Sequence, residues 1–252
     1  MSAFREFNAL KDYPQGGPRV VGTRSIEHRI MASYRGRQFF DGERDCGYGG
    51  LKYDGRWESV AASMIEDYRL RECGRQPKIL QVQCEYGFLL YEFRKQGCVA
   101  VGLESSAYAR QRVPNDIRQD TSFPVHSNWN EIKGPFDLVI AIGAVYTLNL
   151  PDAMQCLRQI EHAGFNAFVT LAAYDTPEDY WLMREWSLLG TTILKRDEWR
   201  EVMRHVGYTG DYWFVTAQSL NLISQAGSGV VTPAAGAARL HGSHPSAVTP
   251  HP

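Results

Sequence analysis

Residues 78–103 read KILQVQCEYGFLLYEFRKQGCVAVGL, and this stretch decides the fold. Its opening, 78–84 (KILQVQC), is apolar with β-branched residues and reads as a strand; 88–95 (FLLYEFRK) carries helical spacing; 98–103 (CVAVGL) is a second strand. A strand, a helix and a strand in so short a run make a crossover unit, which pairs its strands in parallel. Working outward, 136–142 (FDLVIAI) is an almost continuous apolar run, as expected of a strand buried on both faces. Residues 151–163 predict a helix that opens on Pro151, places Asp152 near its positive end and aligns Met154, Leu157 and Ile160. Residues 166–171 (NAFVTL) predict another buried strand, 178–188 and 197–206 helices, and 212–216 (YWFVT) a final strand. Repeated alternation of this kind predicts an α/β, Rossmann-like, doubly wound and mostly parallel sheet over residues 76–220, with its ligand site beyond the carboxyl ends of the strands.

The flanks differ from this middle. Residues 1–75 are rich in Tyr, Arg and Gly and read as an N-terminal cap or lid, closing on a helix near 59–70 with Val60, Met64, Ile65 and Tyr68 on one stripe. Residues 226–252 hold four of the twelve prolines and no acidic residue, and read as a disordered tail. The HxxH spacing of His241 and His244 lies among Pro and Gly with no fixed backbone, so no metal is expected there. Lys+Arg 27 against Asp+Glu 28 leaves a net charge of -1 over 252 residues, which supplies no global field for nucleic acid or an anionic membrane. No apolar run approaches the roughly 18–20 residues of a membrane helix, and the start lacks the apolar core of a signal peptide. Five scattered cysteines without a CxxC pair or a zinc spacing read as reduced thiols, and the expected location is cytoplasmic.

The turn after the first strand of the sheet, Gln83-Cys84-Glu85-Tyr86-Gly87, sits where nucleotide ligands meet the backbone and a helix's amino end. Only Gly87 remains of a GxGxxG fingerprint, which disfavours NAD and FAD. Glu104, about 20 residues further on, ends the second strand, where a carboxylate accepts hydrogen bonds from ribose hydroxyls. The alternative reading makes it an exposed turn residue or a cap beside Ser105 and Ser106.

Residues 78–109, KILQVQCEYGFLLYEFRKQGCVAVGLESSAYA, resemble the first motif and second strand of class I S-adenosylmethionine (SAM) dependent methyltransferases. FDLVIAIGAVYTLNLPDAMQCLRQIEHAG is similar to that family's fourth strand and following helix, and KRDEWREVMRHVGYTGDYWFV to its late helix and terminal strand. With YGGLKYDGRW, the likeness spans about residues 46–217 and points to a subgroup from bacterial biosynthetic clusters. It implies SAM as cofactor, with Gln81, Gln83, Cys84 and Gly87 beside the methionine moiety, Glu104 at the ribose, Asn128 and Trp129 flanking adenine, and Tyr86, Ser105 and Gly143 among the cofactor-binding residues. Two positions depart from the pattern: Gln81 stands where the family usually has Asp, and Gln83 where it has the first loop Gly.

For the chemistry, the fourth and fifth strand ends must face the site. Tyr146 and Tyr174 are placed to hold a sulfonium or donate hydrogen bonds, or else to pack; Asp175 is placed to act as base or to bind an amine. In the cap, Tyr53, Asp54 and Arg56 either close over the substrate or form a local ion-paired turn. The leading expectation is a methyltransferase acting on a small biosynthetic intermediate, as monomer or homodimer, without nucleic-acid or membrane partners. The subgroup also resembles azetidine-2-carboxylate synthases, which cyclise SAM and release methylthioadenosine. A non-catalytic SAM-binding module is the third reading.

Overall fold

The computed structural model describes residues 4–22, 24–113 and 124–224, so the tail expected over 226–252 lies outside the described residues. In chain order the elements are β1 (Arg5–Glu6), β2 (Arg19–Val21), α1 (Ile26–Ser33), α2 (Arg37–Asp41), α3 (Glu58–Asp67), β3 (Lys78–Val82), α4 (Phe88–Lys95), β4 (Val99–Leu103), α5 (Ala107–Gln111), β5 (Val125–His126), β6 (Leu138–Ala141), α6 (Leu150–Ala163), β7 (Ala167–Tyr174), α7 (Pro177–Trp186), β8 (Leu194–Lys195), α8 (Arg196–Val206), β9 (Asp211–Val215) and β10 (Leu222–Ser224). The main sheet runs β1-β9-β7-β6-β3-β4-β5, with β8 added beside the end of β7, and its pairings are all parallel. Its six principal strands therefore follow the order 3-2-1-4-5-6 of a doubly wound sheet, with the switch point between β3 and β6.

Alternation along β3 explains the layers. Leu80 and Val82 join Val139, Ala141 and the inner stripe of α6 in one core; Ile79 joins Ala100, Leu138, Ile140 and the inner faces of α3 and α4 in the other. On α6 the buried stripe is Ala153, Cys156, Leu157 and Ile160, with the expected Met154 only half-buried at its edge. Its amino end is held by Asn149, whose side chain accepts from the Asp152 backbone N–H at 3.1 Å. On α4, Leu89, Leu90 and Phe93 are buried, and truncating Phe93 to Ala would cost roughly 3–5 kcal/mol by the cavity it leaves.

Two expectations at the edges need correction. The 212–216 strand is not the last: β10 follows and pairs with β2 in a separate two-stranded sheet, while β1 adds itself outside β9. Strands of two or three residues carry no readable period, which is why neither was visible. The N-terminal zone is also divided. β1 belongs to the main sheet and α3 to its helical layer, and α1, α2 and the segment around Tyr48 form a small third core with Tyr86 and Ala109.

Candidate active site at the strand ends

The turn leaving β3 is strained. Gln83 and Glu85 both occupy the left-handed region, at φ +57° and +56°, and Gly87 follows at +75°. Left-handed backbone costs an ordinary residue about 1–2 kcal/mol, so two large polar side chains stand where glycine would sit without penalty. The backbone N–H of Cys84 donates to Leu103 O at 3.1 Å, stitching the turn to β4. Gly102 is required beneath it, because a Cβ there would meet Cys84 Sγ at 2.6 Å. Burial pushes the Cys84 thiol well up, and the nearby Glu104 and Glu85 push it further, so it is an apolar wall and not a nucleophile.

Glu104 is 0% exposed. Its Oε1 accepts from the Ser106 N–H at 2.8 Å; its Oε2 accepts from the Glu85 N–H at 2.9 Å and from Arg35 Nη2 at 3.3 Å. Arg35 comes from the turn after α1, itself at φ +44°, and its carbonyl accepts the Ser106 hydroxyl at 2.6 Å. The guanidinium lies 5.4 and 5.7 Å from the ring centroids of Phe39 and Phe40, and the Gln83 amide oxygen, turned toward it, accepts from both Nη atoms. Its buried Nε has no partner, and neither has the buried Oε1 of Gln81. Such orphaned polar atoms are rare in folded proteins and mark a place that another group completes.

Glu85 forms the second half of the cluster. Tyr48 donates its hydroxyl to Glu85 Oε1. Burial raises the Glu85 carboxyl to about 7, against the lowering pull of Tyr48 and Arg35 and with added repulsion from Glu104. Tyr146, buried in the turn after β6, has its hydroxyl pushed up by burial and then by the charge of Glu85. That hydroxyl lies 3.7 Å from where a Cβ of Gly143 would stand, and Gly143, at φ +69°, donates its N–H to Thr170 Oγ1 at 2.8 Å. Tyr86 is buried, with its hydroxyl committed to Asp41 at 2.8 Å; Tyr108 donates to the same oxygen at 2.7 Å. Phe40 stacks on Tyr86 at 5.2 Å, so α2 is clamped over the turn.

A cavity of about 430 Å³ opens here, lined on the sheet side by Gln83, Ser105, Thr147 and Leu148 and on the cap side by Ser33 and Arg35. That volume lies within the usual range of small-molecule sites. Among the residues expected at the site, the structure thus brings Gln83, Cys84, Tyr86, Gly87, Glu104, Ser105, Gly143 and Tyr146 into one neighbourhood. Other residues fall elsewhere. Asp175 is 53% exposed and pairs with Arg196, whose Nε lies 2.9 and 3.1 Å from the two carboxylate oxygens. Tyr174 packs edge-on against Tyr180 at 5.2 Å, and neither Tyr174 nor Asp175 lines the cavity. Asn128 is exposed and bonded to Ser127 and Glu131, with Trp129 half-buried against the sheet core. Asp54 and Arg56 form a local ion pair on a separate depression beside α3, away from the strand-end cavity, and Tyr53 donates to Glu92 of α4.

Arg35, Tyr48 and Glu85 were not legible as site residues. Arg35 and Tyr48 are far from the β3 turn in sequence, and only the fold brings them to it. Glu85 did carry a signal: a charged residue in a strand-to-helix turn otherwise suited to glycine. Among the described residues no cluster of three or more His, Cys, Asp or Glu offers a metal site, and no helix is long and apolar enough to cross a membrane.

No protein-family model matches the chain, and no curated protein matches it in sequence. Solved structures do match. Magnesium protoporphyrin IX methyltransferase from Synechocystis PCC 6803 with bound SAH is 15% identical, with 72% of this chain and 89% of that one covered, at a TM-score of 0.50. The same enzyme with bound SAM gives 13% identity, 74% and 88% coverage and a TM-score of 0.48. A putative methyltransferase from Bacillus halodurans C-125 gives 12%, 59% and 68%, and 0.46. The chain has the class I methyltransferase fold.

Proposed function

We propose that this protein is a SAM-dependent methyltransferase acting on a small-molecule biosynthetic intermediate in the cytoplasm. One observation carries the reading: the buried Glu104 carboxylate at the end of β4 stands beside the β3 turn and its cavity, in a fold whose Synechocystis representative was solved with SAH. The residues fit such a cofactor. Glu104 Oε1 accepts one bond and keeps a lone-pair site for a ribose hydroxyl, Ser105 lines the cavity nearby, and the orphaned Gln81 Oε1 and Arg35 Nε are an acceptor and a donor without partners. SAM supplies, when bound, a methyl group activated on a sulfonium.

The chain's own residues supply position and a proton acceptor. Tyr146 offers an aromatic face and hydroxyl in a dry setting next to Gly143. Glu85, its carboxyl raised by burial to about 7, is suited to take a proton from an attacking hydroxyl or amine. Tyr48 fixes its Oε1 and leaves Oε2 for that role. A second reading, cyclisation of SAM by its own amine with release of methylthioadenosine, is favoured by the same carboxylate lying in the turn expected beside the methionine moiety.

Incubation of the full chain with SAM alone, resolved by mass spectrometry, separates these readings. Methylthioadenosine with a four-carbon cyclic imino acid supports cyclisation; SAM bound and intact directs the search to acceptors, with S-adenosylhomocysteine as readout. Absence of binding in calorimetry with S-adenosylhomocysteine overturns the cofactor assignment.

A further inference from the structure

The strand-end cavity has two unlike ends, and the second concerns the acceptor, a role that rests on the methyltransferase reading. Besides Gln83 and Ser105, the wall includes Arg29 and Arg184, where α1 meets the end of α7, followed by Leu188 and Leu189. Arg29 is fully engaged: Nη1 donates to Ser187 O at 3.1 Å, Nη2 to Arg184 O at 2.9 Å, and Glu185 lies 3.7 Å away. These bonds lock the turn that follows α7 against the cap. Arg184 is different. Half-buried on the cavity wall, its side chain has no hydrogen bond or ion pair among the described residues.

The carboxylates nearby are already committed. Glu185 is shared between Arg29 and the Arg24 N–H, at 3.0 Å from the latter, and Glu104 holds Arg35. Arg184 also faces like charge: the Arg29 guanidinium is held below its ordinary value by burial first and, against the pull of Glu185, by Arg184 and Arg24. A half-buried guanidinium beside another, with its forked donors unused, is the arrangement that a bound carboxylate completes.

We infer that the acceptor is a small carboxylic acid, its carboxylate taken by Arg184 and its aliphatic part laid on Leu148, Leu188 and Leu189, so that its other end reaches toward Gln83 and the turn after β3. A single unengaged guanidinium matches one negative charge, and the leucines favour a short hydrocarbon chain over a sugar.

The test uses the full chain, with butyrate and butyramide as probes, titrated by ligand-observed NMR with and without S-adenosylhomocysteine. Butyrate is expected to bind at least about tenfold more tightly than the isosteric amide. Arg184→Gln is expected to weaken butyrate about tenfold without changing affinity for S-adenosylhomocysteine, and Arg184→Lys to restore part of the loss. Equal binding of the two probes, no binding of either, or butyrate binding indifferent to Arg184→Gln overturns the inference. Failure of S-adenosylhomocysteine to bind overturns the cofactor reading instead, and the butyrate comparison without it still decides the anion site.

Discussion

Two arginine–carboxylate pairs occupy opposite ends of the same central strands, and they are built differently. At the amino ends, Arg75 grips Asp137 with two bonds of 2.8 and 2.9 Å, the Lys78 N–H adds a third at 2.7 Å, and the arginine side chain is 47% exposed. At the carboxyl ends, Arg35 reaches Glu104 through one bond of 3.3 Å, its Nε is orphaned, and the turn between them is held in left-handed backbone at Gln83 and Glu85. The first pair is satisfied and ties together the amino ends of two central strands. The second is buried, incompletely bonded and strained beside a cavity, which is the combination expected where structure has been given up to hold a ligand.

The comparison breaks most sharply at Glu104. Glu104→Ala leaves Arg35 buried without its counter-charge and removes the acceptor for the Glu85 and Ser106 N–H groups, a loss of about 3–5 kcal/mol in urea unfolding, together with cofactor affinity. Glu104→Gln keeps the volume and should recover much of the stability while affinity for S-adenosylhomocysteine stays low. Full affinity in the Gln variant would make Glu104 a structural twin of Asp137. Asp137→Asn is the converse experiment. It should cost about 1–2 kcal/mol through weaker bonds to the Lys78 N–H, with calorimetric affinity for the cofactor product unchanged.

The two ends should also respond to pH with opposite signs. Burial would raise the Asp137 carboxyl, but its bonds to Arg75 and the Lys78 N–H outweigh that and hold it low. Its stabilisation is therefore present above the ordinary aspartate value and lost as pH falls below it. Glu85 sits at about 7 against an ordinary 4.5, so between those values the folded state keeps a proton that the unfolded chain has released. Stability should fall as pH rises from 4.5 to 7 and level off above, and Glu85→Gln should remove that slope. Turnover should rise through the same pH near 7 as the carboxylate forms, and fall about a hundredfold or more in Glu85→Gln. A turnover profile unchanged by the substitution would remove Glu85 from the chemistry.

The structural end of this comparison was more legible in the sequence than the functional end. Helix α4 occupies the run FLLYEFRK because its period is strong, and β6 is as buried as its unbroken apolar run requires. Glu104 was visible because its distance from the turn is set by the crossover unit itself. Arg35 and Tyr48 were not, since nothing local records that α1 and α2 fold back over β3. Asp175 stands apart from the cavity for the complementary reason: its strand-end position was legible, but its ion-pair partner, Arg196, belongs to the first turn of α8 and is set by tertiary pairing.

That last residue supplies the smallest expected effect and the cleanest control. Asp175 and Arg196 are both partly exposed, and Arg196 also lies 3.5 Å from Glu6 and 5.2 Å from the Phe214 ring centroid, so loss of the Asp175 charge leaves it partnered. Asp175→Asn should shift stability by no more than about 1 kcal/mol, less in high salt, and leave turnover within about twofold of the parent. The two carboxylates then form a paired assay, measured under one set of conditions. If the Asn variant abolishes turnover while Glu85→Gln retains it, the proton acceptor lies at the end of β7 and the acceptor must approach from that side. If the effects fall as expected, the strained turn after β3 is where chemistry and backbone cost coincide.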